Sequence, residues 1–292
     1  MCKSKPKKVK SATLKSLLAA MVMLVALSGC AVKFVYNQLD WAIPWYLSDY
    51  LSLNGSQEAF FEKRLDQYLT WHRKTQLPKY GAFLEQVAGK VETGITEESI
   101  RWIQTRTREL GEILIVRLAP DMIELFQQTS DKQIAALYEK FAEDNEEYRE
   151  EYVTAPEKKQ RERRAEEIAD YIERWTGSLT DEQLQLIREG TENYALMGEE
   201  FLQARIAWQD EFRRILAIRQ NKQGFSEEMT ALLMSDEYGQ TPSFQEKLAH
   251  NQALLESLYF RLDKTLSKRQ RQKAVNKLRS YAEDFHELAA ED

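Results

Sequence analysis

The stretch TDEQLQLIREGTENYALMGEEFLQARIAWQDEFRRILAIRQNK, residues 180–222, decides the fold class. It is dominated by Glu, Gln, Arg, Leu and Ala, all good helix formers, and Ile187, Tyr194, Phe201, Trp208 and Ile215 recur every seven residues. Gly190, Met197, Ala204 and Ile218 each stand three residues after a member of that row. An apolar stripe of this period predicts a helix that buries one face against other helices, its small residues allowing close approach. Thr180-Asp-Glu-Gln183 supplies the start signal: the threonine oxygen takes the amide of the third helical residue, and the glutamine reaches back to the cap. The spacing therefore predicts one long helix over about 180–222, with its stripe in the core of a bundle.

The rest of the chain follows the same pattern. Pro and Gly are sparse, and no stretch alternates apolar and polar residues for long, so the fold expected is all-α, a multi-helix bundle of antiparallel hairpins. Further start signals are Ser130-Asp-Lys-Gln133, Ser243-Phe-Gln-Glu246 and Ser267-Lys-Arg-Gln270, with Thr96-Glu-Glu-Ser99 as a weaker relative. Pro156 suits a first helical turn, and Gly177 and Gly224 suit helix ends. The other helices predicted are about 56–74, 78–91, 96–117, 120–128, 130–152, 156–175, 226–237, 243–264 and 267–289.

The N-terminus carries an address. Six lysines and no acid stand in the first fifteen residues, followed by an apolar run from Leu17 to Leu27. That run is shorter than the roughly 20 residues a spanning helix needs and reads as the core of an export signal. It ends in Leu27-Ser28-Gly29-Cys30, which resembles the bacterial lipobox. The resemblance implies cleavage before Cys30 and lipidation of its thiol, and stable anchoring with more than one acyl chain. Ala31 in place of Asp favours, by the same resemblance, the outer membrane of a Gram-negative envelope. The expected division is a cleaved signal at 1–29, an aromatic-rich post-anchor segment at 30–55 and an all-helical, periplasm-facing domain at 56–292.

Removing residues 1–29 leaves 35 basic against 47 acidic side chains, a balance that argues against nucleic acid as a partner. Cys2 is the only other cysteine and lies in the discarded segment, which excludes disulfides in the mature chain. There is no Walker loop, dinucleotide glycine fingerprint, HExxH or GxSxG, so no catalytic residue and no cofactor is expected. Asp284 with His286 or Glu287 is too sparse a set to predict a metal site.

Three surface features carry the functional expectations. Residues 34–61 hold Phe34, Tyr36, Trp41, Trp45, Tyr46, Tyr50, Phe60 and Phe61. The favoured reading tucks them into the core as a helix or turn broken at Pro44, because rings bury large areas and Asp40 and Asp49 sit poorly beside anionic lipid. The other reading places Trp41, Trp45 and Tyr46 at a membrane interface. An acidic block runs from Glu143 to Glu151. A basic block from Ser267 to Tyr281 includes Lys268, Arg269, Arg271 and Lys273, candidates for contact with a partner or an anionic surface; the two blocks are also placed to pair with each other.

Leu179-Thr180-Asp-Glu-Gln183 and Leu266-Ser267-Lys-Arg-Gln270 resemble the Leu-Thr/Ser-x-x-Gln motif of periplasmic stress chaperones of the Spy and CpxP kind, which implies an all-helical binder of protein clients. The chain is about twice their length and carries a lipobox. Over more of its length it resembles an uncharacterised family of proteobacterial lipoproteins, through the lipobox, Tyr36-Asn-Gln-Leu-Asp-Trp41, Trp45-Tyr-Leu47, Asp49-Tyr-Leu51, Trp71-His-Arg73 and Gln76-Leu-Pro78. The expectation is a non-enzymatic lipoprotein that binds a protein or peptide client and touches the membrane through acyl chains on Cys30. The second expectation is an assembly factor with one envelope partner; the third is a carboxylate-based cell-wall hydrolase.

Overall fold

The computed structural model describes residues 30–235 and 237–291; the expected export signal at 1–29, with the lipobox-like Leu27, Ser28 and Gly29, lies outside them. Every regular element described is helical. In chain order these are α1 (Cys30–Tyr36), α2 (Leu39–Ser48), α3 (Gly55–Trp71), a π-helical turn (His72–Gln76) and α4 (Leu77–Thr93). Then come α5 (Glu97–Gln127), α6 (Asp131–Tyr152), α7 (Glu157–Thr176) and α8 (Asp181–Thr191). The last four are α9 (Gly198–Ala217), α10 (Lys222–Leu233), α11 (Pro242–Thr265) and α12 (Lys268–Ala290).

Capping chemistry sets most of the starts. Thr96, Ser130, Thr180 and Ser267 close reciprocal boxes as the sequence predicts, and Asn54 with Gln57 adds one that the sequence reading passed over. Ser243 is not a cap. Thr241 takes the Phe244 amide and Pro242 opens α11, since a proline at the first turn has no amide to satisfy. Gly224 lies inside the first turn of α10, where Asn221 caps it, rather than at a helix end.

The long helix expected over 180–222 is two helices. Residues 192–197 form a break, because tertiary groups take over its backbone bonding. The Asn251 side chain of α11 accepts from the Ala195 amide at 2.8 Å and donates to the Ala195 carbonyl at 2.9 Å. Arg161 of α7 donates to the carbonyls of Glu192 and Tyr194. Tyr194 and Met197 drop into a small core with Ala204 and Phe244. The seven-residue stripe thus serves three cores: beside the one around Tyr194, Ile187 packs with Ile168, Leu258 and Leu262, and Ile215 packs with Phe212, Phe225 and Met229.

The longest helix is instead α5, 31 residues that run through Pro120, where the sequence predicts a break. The bond Pro120 omits belongs to the carbonyl of Val116, a residue 60% exposed, so water can replace the lost partner. Helices α3 and α4 join through the π turn, in which the Leu77 amide reaches back five residues to His72; Pro78 follows at the start of α4. This composite rod runs antiparallel to α5, with Gln57 against Gln128, Tyr68 against Arg117 and Phe83 against Trp102. The turn between them needs Gly94 at φ 100°.

α12 lies antiparallel along the whole of α4: Leu77 meets Leu288, and Val87, Ala88 and Val91 meet Ala274, Val275 and Leu278. α7, α8 and α11 pack beside this pair. α6, α9 and α10 gather around the C-terminal half of α5 to form the largest core cluster. The acidic and basic blocks do not pair with each other among the described residues. Lys140, Arg149 and Arg163 answer the acids locally, and Arg271 and Arg279 pair with Asp263 and Glu92, because the fold separates α6 from α12.

Candidate functional site

The aromatic-rich segment that follows Cys30 docks on the domain, and its rings divide between two faces. The division contradicts the expectation that the aromatic opening is buried as a whole. Tyr36 is 8% exposed and packs with Leu77 and Leu288. Its hydroxyl lies 3.0 Å from His72 Nδ1, and its ring carries the Arg73 guanidinium at 5.0 Å. Arg73 also donates to Asn37 Oδ1 at 2.7 Å and to Glu291 at 2.8 Å, while Lys33 pairs with Glu287 and lies 3.8 Å from Asp284. Burial pushes the Tyr36 phenol up and His72 down, so at neutral pH the histidine in this clasp is neutral.

α2 buries none of its residues. Pro44 sits inside it without breaking it; the chain bends earlier, at Asn37 and Gln38. The candidate interface residues Trp41 and Tyr46 are 57% and 61% exposed, and Trp45 is also exposed and stacks on Trp41. Phe34 and Val35 of α1 are exposed as well.

The inner side of α2 borders a groove of about 640 Å³, within the roughly 300–1,000 Å³ of small-ligand pockets. Helices α2, α3, α5, α6, α9 and α10 all contribute. Ile43, Tyr46 and Met122 stand at its mouth, Phe126, Phe141 and Trp208 along its walls, and the buried Leu137 and Phe212 at its floor. The groove therefore opens into the largest hydrophobic core. Its charged lining is confined to Asp144 and Arg205. The Tyr46 and Tyr50 hydroxyls and Asp144 form a chain, Tyr50 donating to Asp144 at 2.9 Å. The hydrogen bond with Tyr46, burial and the neighbouring carboxylate raise the Tyr50 phenol. Burial alone would raise Asp144, but bonds from Lys140 and Tyr50 outweigh it and hold the carboxyl below its ordinary value. These groups form a hydrogen-bonded polar edge to the groove.

A smaller cavity of about 260 Å³ lies at the α8–α9 break, lined by Tyr148, Tyr152, Arg163, Arg164 and Tyr194. Its arginines are spent on rings and on Glu151 and Glu167. Among the basic candidates, Lys268, Arg269 and Lys273 face outward. Arg271 is turned inward, donating to the Val91 carbonyl and to Asp263, whose carboxylate also takes the Ile95 amide. It locks α12 to the α4–α5 turn. Asp284 is buried beside Lys33, and His286 Nε2 lies 3.5 Å from Glu85. No group of three or more metal-ligating side chains occurs among the described residues.

The sequence reading missed the groove. Each of its wall residues is legible as an apolar helix position, but nothing in the spacing says that six helices leave a gap between them. The exposed aromatics had a local signal, the density of rings after Cys30, which did not reveal which rings turn outward.

Residues 49–245 match the model of a family of unknown function, DUF6279. The match takes in the groove's walls and floor and stops short of α1, α2 and α12. No curated protein and no solved structure matches the chain. With the match covering well over half of its residues, the chain belongs to DUF6279, a family of unknown function.

Proposed function

We propose that this chain is a non-enzymatic, lipid-anchored protein of the cell envelope, held by acyl chains on Cys30 and facing the periplasm, that grips the apolar part of a protein or peptide client. The observation that carries the reading is the groove running from Met122 and Tyr46 at the surface to Leu137 and Phe212 in the core. Helical grooves of this kind accept apolar side chains of amphipathic segments. The lipobox and the short apolar run before it support the envelope address, and no helix among the described residues is long and apolar enough to cross a membrane.

Calorimetric titration with an amphipathic helical peptide tests this. Saturable binding is expected, and Met122→Arg, which puts a charge at the exposed mouth, should weaken it about tenfold, some 1.4 kcal/mol. Absence of saturable binding, or equal affinity in the variant, would remove the groove as the client site. A second reading, an assembly factor with one envelope partner, draws on the outward-facing Lys268, Arg269 and Lys273. It is the reading that stands if peptides fail to bind.

A further inference from the structure

We infer that the exposed face of α1 and α2 is a membrane-interface surface that seats the domain flush on the bilayer, with the mouth of the groove at headgroup level. The inference rests on the reading of Cys30 as the lipidated residue and extends it, because a lipid anchor alone leaves the orientation of the domain open. The missing constraint is the length of chain between anchor and domain, and here there is none to spare. Cys30 opens α1 directly, and Tyr36, six residues on, is already buried in the domain. At 1.5 Å per helical residue the two are about 9 Å apart along the axis. α1 cannot swing as a tether, since Lys33, Tyr36 and Asn37 are tied to Asp284, Glu287, His72, Arg73 and Glu291. Acyl chains on Cys30 therefore bring the surface around α1 to the bilayer whatever its chemistry.

That chemistry suits the interface. Phe34, Val35, Trp41, Trp45 and Tyr46 are exposed within thirteen residues, and tryptophan and tyrosine settle at headgroup depth, with an apolar ring inward and a polar edge in water. Phe34, Trp41, Trp45 and Tyr46, the exposed rings of this segment, thus all lie within sixteen residues of Cys30, while Tyr36 is turned into the core. Asp40, at the start of α2, keeps its carboxylate on the Trp41 amide at 2.9 Å, where a helix N-terminus favours negative charge. It belongs at the hydrated edge of the face rather than beneath it. Tyr46 belongs both to this face and to the groove, so seating the face places the groove's opening at the lipid surface.

The test uses the lipidated full protein in vesicles of phosphatidylethanolamine and phosphatidylglycerol containing lipids brominated near the headgroup. Of the six tryptophans, Trp41 and Trp45 should carry nearly all the quenching, and the Trp41→Phe, Trp45→Phe double variant should lose it several-fold while still floating with the vesicles. Flotation of the wild-type protein without quenching, or quenching unchanged in the double variant, would overturn the seating and leave the anchor and client readings intact. Failure of the wild-type protein to float would overturn the anchor and the seating together. Peptide titration in detergent is independent of both. Because both positions are exposed and phenylalanine keeps an aromatic ring, the variants retain the fold, which circular dichroism checks.

Discussion

Gln183 shows how a local signal acquires a distant consequence. As the third residue of α8 it closes a capping box with Thr180, and Gln270 does the same for Ser267 at α12. In the fold the two amides meet: Gln270 Nε2 donates to Gln183 Oε1 at 2.8 Å, Gln183 Nε2 reaches the Thr265 carbonyl, and Gln270 Nε2 reaches that of Ser178. Gln57 and Gln133 repeat the arrangement at the starts of α3 and α6, bonding each other and the carbonyls of Gln128 and Ser52. Each box was legible or nearly so from four residues. The pairing was not, since the partners lie 87 and 76 positions apart. Replacing Gln183 by Ala removes one bond from Gln270 and takes their side-chain partner from the Thr180 amide and the Thr265 carbonyl, and should cost about 1–3 kcal/mol. The readout is a lower urea midpoint at unchanged slope; a midpoint equal to wild type would show that the pair is not structural.

At the scale of elements, the α8–α9 break is where local preference loses to packing. Residues 180–222 have helix-forming composition throughout, yet the chain leaves the helix at Glu192 and resumes at Gly198. Gly198 sits so tightly under α6 that an added Cβ would lie 2.1 Å from the Tyr152 carbonyl oxygen, and a backbone atom cannot swing away as a side chain does. Gly198→Ala should therefore destabilise by about 1–3 kcal/mol, as overpacking does. Gly55→Ala, with nothing within 4 Å of the added carbon, should stay within about 0.5 kcal/mol of wild type. Equal thermal midpoints for the two variants would argue that α6 and the break are not in firm contact. Pro120 teaches the converse. Propensity predicts a stop there, but contact of α5 with α3 through Tyr68 and Arg117 favours the continuous helix against the roughly 3 kcal/mol that an interior proline costs.

At the scale of the molecule, the first and last described helices meet: α1 and the end of α12 close over the π turn, with Tyr36 on His72 at the centre. Burial lowers His72 from its ordinary 6.5, so the folded state disfavours the imidazolium. Its contribution to stability is then fully present above about pH 6.5 and is lost as pH falls through the lowered folded value. Asp284, pushed up by burial against the pull of Lys33, works in the opposite sense, so a comparison of variants must isolate the histidine. Hydrogen exchange of the α1 amides, corrected for intrinsic rate, should speed up between pH 7 and pH 5 in wild type and much less in His72→Gln. The same acceleration in both would place the acid sensitivity elsewhere.

Composition, period and capping boxes were sufficient for an all-α chain and for most helix starts, because helix formation is governed by residues three and four apart. The lipobox-like pattern Leu27-Ser28-Gly29-Cys30 and the density of rings after it are equally local. Tertiary structure alone decided that the seven-residue stripe is divided among three cores, that Arg271 turns inward, that α2 leaves its tryptophans outside, and that six helices leave between them a groove with Leu137 and Phe212 at its floor. Each of these depends on which surfaces, distant in sequence, compete to bury the same area and satisfy the same backbone groups, a competition whose terms no single stretch of the chain contains.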